Sequence, residues 1–257
     1  AGPFMSDFSS WGPTPSLGIK PEITAHGGNI KSAVPGGGYD ELSGTSMACP
    51  NLCGIVVLIR QYLKEEYPDA TVKELSIMAN QLLMSTSNII LNEQGNPYAV
   101  RKQGAGLASL FNAVNTKAYL TVDGIDRSKL ELKDDPNRTG VYEMEFNLVN
   151  LSNETLNYRL SIVGMTESVS TSDEEFVAEK SQLLTDTFKA EIIQGGTIDN
   201  NVVTVNGNGV CKIKVTYTLT DENKKYLEDS FPYGMYVEGF AKLEDLNNAE
   251  ESINLNI

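Results

Sequence analysis

Apolar residues recur along this chain at two spacings, and the spacing changes once. Over residues 46–66, Leu52, Val56, Ile59 and Leu63 fall on one face of a helix. Pro50 lies in its first turns, where a missing N–H is tolerated, and Tyr67-Pro68 ends it. Gly54 and the β-branched pair Val56-Val57 predict a helix buried on most of its sides. Thr71-Val72-Lys73-Glu74 has the form of a capping box. It opens a second helix with Leu75, Met78, Ala79 and Leu82 on one face. A loop rich in Asn and Gly leads through residues 101–106 to a third short helix carrying Leu107, Leu110 and Val114. Ahead of these helices, residues 23–25 and 30–34 read as short strands separated by Gly27-Gly28, and Gly36-Gly37-Gly38 reads as a flexible turn.

Beyond residue 117 the period falls to two. Tyr142, Met144, Phe146 and Leu148 alternate with Glu143, Glu145 and Asn147, as in a half-buried strand. Leu156, Tyr158, Leu160 and Ile162 repeat the pattern after a turn at residues 150–153. So do Cys211, Ile213, Val215, Tyr217 and Leu219, then Met235, Val237 and Ala241, then residues 253–257. About seven short strands with turn signals between them predict an antiparallel β-sandwich of the immunoglobulin or fibronectin kind. The expected division is a first domain over residues 1–117 and a sandwich over residues 118–257.

Charge follows the same division. The net charge is −14, with 8 basic and 9 acidic residues up to Lys117 and 12 basic and 25 acidic beyond it. So acidic a second half argues against nucleic acid and anionic membrane surfaces as partners. No uninterrupted run approaches the ~20 apolar residues of a membrane helix, so no membrane span is expected. Three cysteines cannot form a closed disulfide framework. Cys49 and Cys53 are expected to pack where the first helix enters the core, and Cys211 within a strand's core face. The acidic pairs Asp134-Asp135 and Glu174-Glu175 lack an EF-hand pattern. A structural Ca²⁺ there is unsupported, and solvated loop is the expectation. Three formal glycosylation sequons begin at Asn137, Asn150 and Asn153 and double as turn residues.

The stretch with chemical content is Gly44-Thr45-Ser46-Met47-Ala48-Cys49-Pro50. A serine where a loop enters a helix exposes its Oγ, while the helix N-terminus favours developing negative charge. The stretch resembles the nucleophile signature of the subtilisin-like serine proteases. Phe8-Ser9-Ser10-Trp11-Gly12-Pro13 and Lys20-Pro21-Glu22-Ile23-Thr24-Ala25, followed by Gly27-Gly28, resemble the family's preceding segments in the same order. Residues 101–107 resemble the segment that closes the catalytic domain in the large cell-envelope enzymes of lactocepin type. Residues 119–139 and 234–240 resemble, more loosely, the fibronectin-like domain that follows it.

The resemblance implies an α/β C-terminal portion of a subtilisin-like catalytic domain followed by a fibronectin type III-like sandwich. It implies that Ser46 is the nucleophile, with its N–H as an oxyanion donor, and that the Thr45 hydroxyl supports the oxyanion. Met47 would pack beside them. The implied function is that of a fragment of a secreted or cell-wall-associated endopeptidase acting on protein or peptide substrates without a cofactor. Its aspartate, histidine and oxyanion asparagine would lie upstream, in another part of the same protease. Loss of the base costs such an enzyme about 10⁶ in kcat, so this chain alone is expected to be inactive. His26, the only histidine, is expected to be a loop residue rather than a base oriented by Asp7 or Asp40. The alternative function is a non-catalytic surface binding module or pseudoprotease. The incomplete first domain is expected to be completed by a partner or to self-associate.

Overall fold

The computed structural model describes residues 4–169, 177–184, 186–248 and 251–257, with side chains 177–179 excepted. Its first half is built from helices. A hairpin of β1 (Ile30–Ala33) and β2 (Tyr39–Leu42) turns through the three glycines, with Val34 N–H donating to Gly38 O. Next come α1 (Thr45–Glu66), α2 (Val72–Ser85), α3 (Val100–Gln103) and α4 (Leu110–Asn115). Both bonds of the Thr71–Glu74 capping box form. Among the described residues this half builds no parallel sheet, and Thr24 makes a single parallel bridge to Leu107. Its core is Ile59 and Leu63 of α1 against Leu75, Ala79 and Leu82 of α2, closed by Ala113 of α4.

Among the described residues the second half is a sandwich of ten strands, more than the seven expected. One sheet runs β3 (Ala118–Thr121), β4 (Val141–Asn150), β10 (Val210–Thr218), β7 (Thr187–Gln194). The other runs β12 (Ser252–Asn256), β11 (Glu238–Asp245), β5 (Leu156–Val169), β9 (Val202–Val205), β8 (Gly196–Asp199), with β6 (Val177–Leu184) also paired to β5. The period-2 residues settle the register. Met144, Phe146 and Leu148 stand opposite Val215, Ile213 and Cys211, and all six are buried in the core with Leu160, Val203 and Leu243. Burial pushes the Cys211 thiol up to about 11, which suits a packing role. Between β10 and β11 lies α5 (Asp221–Ser230), capped by Thr220 and without a buried residue.

The two halves are packed together. Ser85 on α2 accepts from Leu120 N–H, and its hydroxyl meets Leu120 O and Ser128. Asn254 donates to Ser87 O. Arg101 crosses the junction: its backbone N–H and Nε reach the Glu238 carboxylate at 2.9 and 3.1 Å, and its Nη2 pairs with Glu167. Its guanidinium lies between the Trp11 and Tyr236 rings, 5.4 and 4.6 Å from their centroids, the arrangement expected of a cation–π contact. Glu238 is only 9% exposed, and burial raises its pKa against the opposing pull of Arg101.

Three expectations fail in α1. Apart from Ile59 and Leu63 none of its residues is buried, and Val57 is 63% exposed. Cys49 and Cys53 are exposed rather than packed. These two share a reason: α2 and α4 cover one side of the helix, and nothing in the described chain covers the other. Pro50 is the sixth helical residue, past the turn where a missing N–H is free, so the Ser46 carbonyl loses its regular i+4 donor. At 22 residues α1 is also long and apolar enough, by length and composition alone, to cross a bilayer, against the expectation of no membrane span.

The candidate active site around Ser46

Ser46 is the second residue of α1, and its placement depends on the loop before it. Residues 19–27 bend at Pro21 and run alongside residues 105–108. Ala105 N–H donates to Glu22 O, Thr24 N–H to Gly106 O and Ala108 N–H to Thr24 O. Gly104 adopts a left-handed φ of 64°, and a Cβ there would lie 2.3 Å from the Glu22 carbonyl carbon, so the position demands glycine. At the far end of this segment Gly27 O accepts from Gly44 N–H at 2.8 Å. A Cβ on Gly27 would approach Gly44 O to 2.6 Å and the Ala48 Cβ to 3.0 Å. The Gly44 carbonyl then receives Met47 and Ala48 N–H, the first bonds of α1.

Those bonds leave the N–H groups of Thr45 and Ser46 without a helical acceptor, as at any helix start. Both residues are exposed, and Met47 is half-buried beside them. No acidic residue lies in the first turn of α1, and no side chain caps it. The helix end therefore presents free amides, a small-residue approach and an exposed hydroxyl, the parts an acyl-transfer site requires around its nucleophile.

His26 is exposed, and no hydrogen bond joins it to Ser46, Asp7 or Asp40. Asp40 accepts from Glu41 N–H instead. Of the acidic pairs, Asp135 holds the turn at residues 135–140, accepting from Thr139 N–H, Thr139 Oγ1 and Gly140 N–H. Glu174 and Glu175 lie outside the described residues. Among the described residues no three His, Cys, Asp or Glu side chains gather as a metal would need. Asn150 is 2% exposed and donates both amide protons, to Glu154 O and Asn206 O, which makes its sequon a turn device.

What the sequence reading missed lies at the junction. Glu22 joins Lys20, Arg127 and Lys129, while Glu131 joins Lys129 and Lys133. Burial works against both carboxylates, but their cationic partners outweigh it. Glu22 is held below its ordinary value, and Glu131, which also accepts Ile19 N–H, falls to about 2. Glu22 stands more than 100 residues from Arg127 and Lys129, as Ile19 does from Glu131, and no local pattern announces those links.

Comparison with known proteins adds the family. A model of the subtilase family matches residues 3–106, and one of an Fn3-like domain matches residues 130–255. The C5a peptidase of Streptococcus pyogenes is 38% identical over 133 residues, covering 51% of this chain and 11% of that protein. PII-type proteinase from Lacticaseibacillus paracasei is 30% identical over 255 residues, covering 93% of this chain and 12% of that protein. Its counterpart from Lactococcus lactis subsp. cremoris aligns to the same extent. The chain spans little more than a tenth of the length of these relatives. Residues 3–106 are thus similar to the subtilase family, and a segment similar to an Fn3-like domain follows them.

Proposed function

We propose that this chain is part of a subtilisin-like serine endopeptidase in which Ser46 is the nucleophile. One observation carries the reading: Ser46 is exposed at the N-terminus of a 22-residue helix, in a loop fixed by the Gly27–Gly44 hydrogen bond. In the intact enzyme Ser46 Oγ attacks the peptide carbonyl as an upstream histidine takes its proton. The free N–H of Ser46 donates to the tetrahedral oxyanion, aided by the Thr45 hydroxyl and the helix dipole. Water then releases the acyl group. This chemistry draws on side chains and amides alone, so no cofactor is assigned.

The substrates are proteins or peptides, and the site of action is outside the cell, secreted or wall-associated, in keeping with the cell-envelope type that the sequence resembles. The second partner is the upstream part of the same protease. The uncovered side of α1, with Cys53, Val57 and Leu58 exposed, is where that part packs. A fluorophosphonate probe, read by intact mass, tests the assignment. Labelling of Ser46 in the longer protease but not in these 257 residues is the expected result. Labelling of neither would favour a pseudoprotease or binding module, and labelling of the isolated chain would return the base to His26.

A further inference from the structure

Residues 19–27 are gripped at one end by the segment leading into the sandwich and grip the nucleophile loop at the other. Lys129 is 9% exposed and spends all three ammonium protons there, on Glu22 Oε1 and Glu131 Oε1 at 2.9 Å each and on Ile19 O at 3.3 Å. Glu131 Oε1 accepts Ile19 N–H at 2.9 Å in return. Both backbone groups of Ile19 are thus held by side chains of residues 129–131, and the Glu22 side chain is held by Lys129 and Arg127. From Glu22 the chain runs extended through Thr24, bonded on both sides of its peptide to residues 106–108. It reaches Gly27, whose carbonyl fixes Gly44 two residues before Ser46. The rungs from Ala105, Gly106 and Ala108 hold residues 22–24 of that stretch, and the Gly44 bond holds its end at Gly27.

We infer that Lys129, through Glu22 and Glu131, is a positioning residue for Ser46: it anchors the strut whose far end sets the nucleophile loop. The inference rests on the proteolytic reading, and it extends that reading to Lys129, which lies between the two matched segments. The sandwich domain then contributes to catalysis through an ion cluster rather than by touching substrate. Removing the cation leaves Glu22 and Glu131 facing one another, with Lys20, Arg127 and Lys133 at the exposed rim as the remaining counter-charges. The Ile19 end of the strut is then free to shift.

The experiment uses the intact protease with Lys129→Met and Lys129→Arg. A misplaced nucleophile costs turnover rather than affinity, so Lys129→Met should lower kcat about ten- to a hundred-fold while KM changes less than about three-fold. Lys129→Arg, which keeps the charge, should recover most of the loss. Hydrogen exchange at residues 43–48 is measured alongside and should quicken in Lys129→Met. Should that variant fail to fold, Glu22→Gln keeps the shape of the cluster and should move the same readouts in the same direction by less. An unchanged kcat with unchanged exchange at residues 43–48 would overturn the inference, as would an equal loss in Lys129→Arg. If the wild-type protease is not labelled at Ser46, the proteolytic reading falls. The exchange comparison then decides the positioning role: faster exchange upholds it and unchanged exchange removes it.

Discussion

Replacing Glu131 by Gln removes one negative charge from the junction and alters its shape very little. The carboxyl is held at about 2 against an ordinary 4.5, a difference corresponding to at most about 3 kcal/mol of native-state stabilisation. Glu131 is 21% exposed and its partner Lys133 is 51% exposed, so solvent screening reduces that figure to about 1–2 kcal/mol. The sign follows from linkage. A depressed carboxylate stabilises the fold fully above its unfolded value and loses that contribution as pH falls toward the folded one. Urea unfolding of wild type and Glu131→Gln at pH 7 should therefore differ by about 1–2 kcal/mol. The gap should close between about pH 4.5 and pH 2. Equal stability at pH 7, or a gap that widens on acidification, would refute the reasoning.

Other outcomes follow from the same geometry. Phe146→Ala empties a fully buried position in the sandwich core and should cost about 3–5 kcal/mol in denaturant titration. Arg101→Leu leaves Glu167 and Glu238 without their cation at a buried site. It should cost about 3–5 kcal/mol, with part regained on adding Glu238→Gln. Val57→Lys with Leu58→Glu places charge on the uncovered side of α1. By sedimentation velocity it should reduce self-association of the isolated chain and leave its urea midpoint within experimental error.

Legibility tracked the range of the interactions. The Thr71–Glu74 box and the strands at residues 142–148, 156–162 and 211–218 were readable because caps and alternation are written within a few residues. The start of α1 beside Ser46 was readable for the same reason, its loop and first turn being contiguous. The β8–β9 hairpin was missed although Asn200-Asn201, both at positive φ, form the two-residue turn that such hairpins favour; strands of four residues carry too little alternation to stand out. The polar helix α5 buries nothing, so it has no apolar stripe, and only Thr220 before Asp221-Glu222 marks its start. The exposure of α1 was unreadable in principle. Its residues are those of a buried helix, and whether they are buried depends on what packs against them. Arg101–Glu238 and Lys129–Glu22 pair residues more than 100 positions apart, a relation that appears only with the fold.

Trp11 is the only tryptophan among 257 residues, and it stands at the junction beside Arg101 and Lys102 instead of inside either core. The eleven tyrosines are spread along the chain, several of them in the sandwich. The molecule therefore carries an intrinsic optical reporter of how its halves are docked. Excited near 295 nm, its emission should respond when Arg101 parts from Glu238 and Tyr236, while tyrosine and far-ultraviolet signals follow loss of the strands. A loosened junction and an unfolded domain are spectroscopically different events in this chain, and no label is needed to tell them apart.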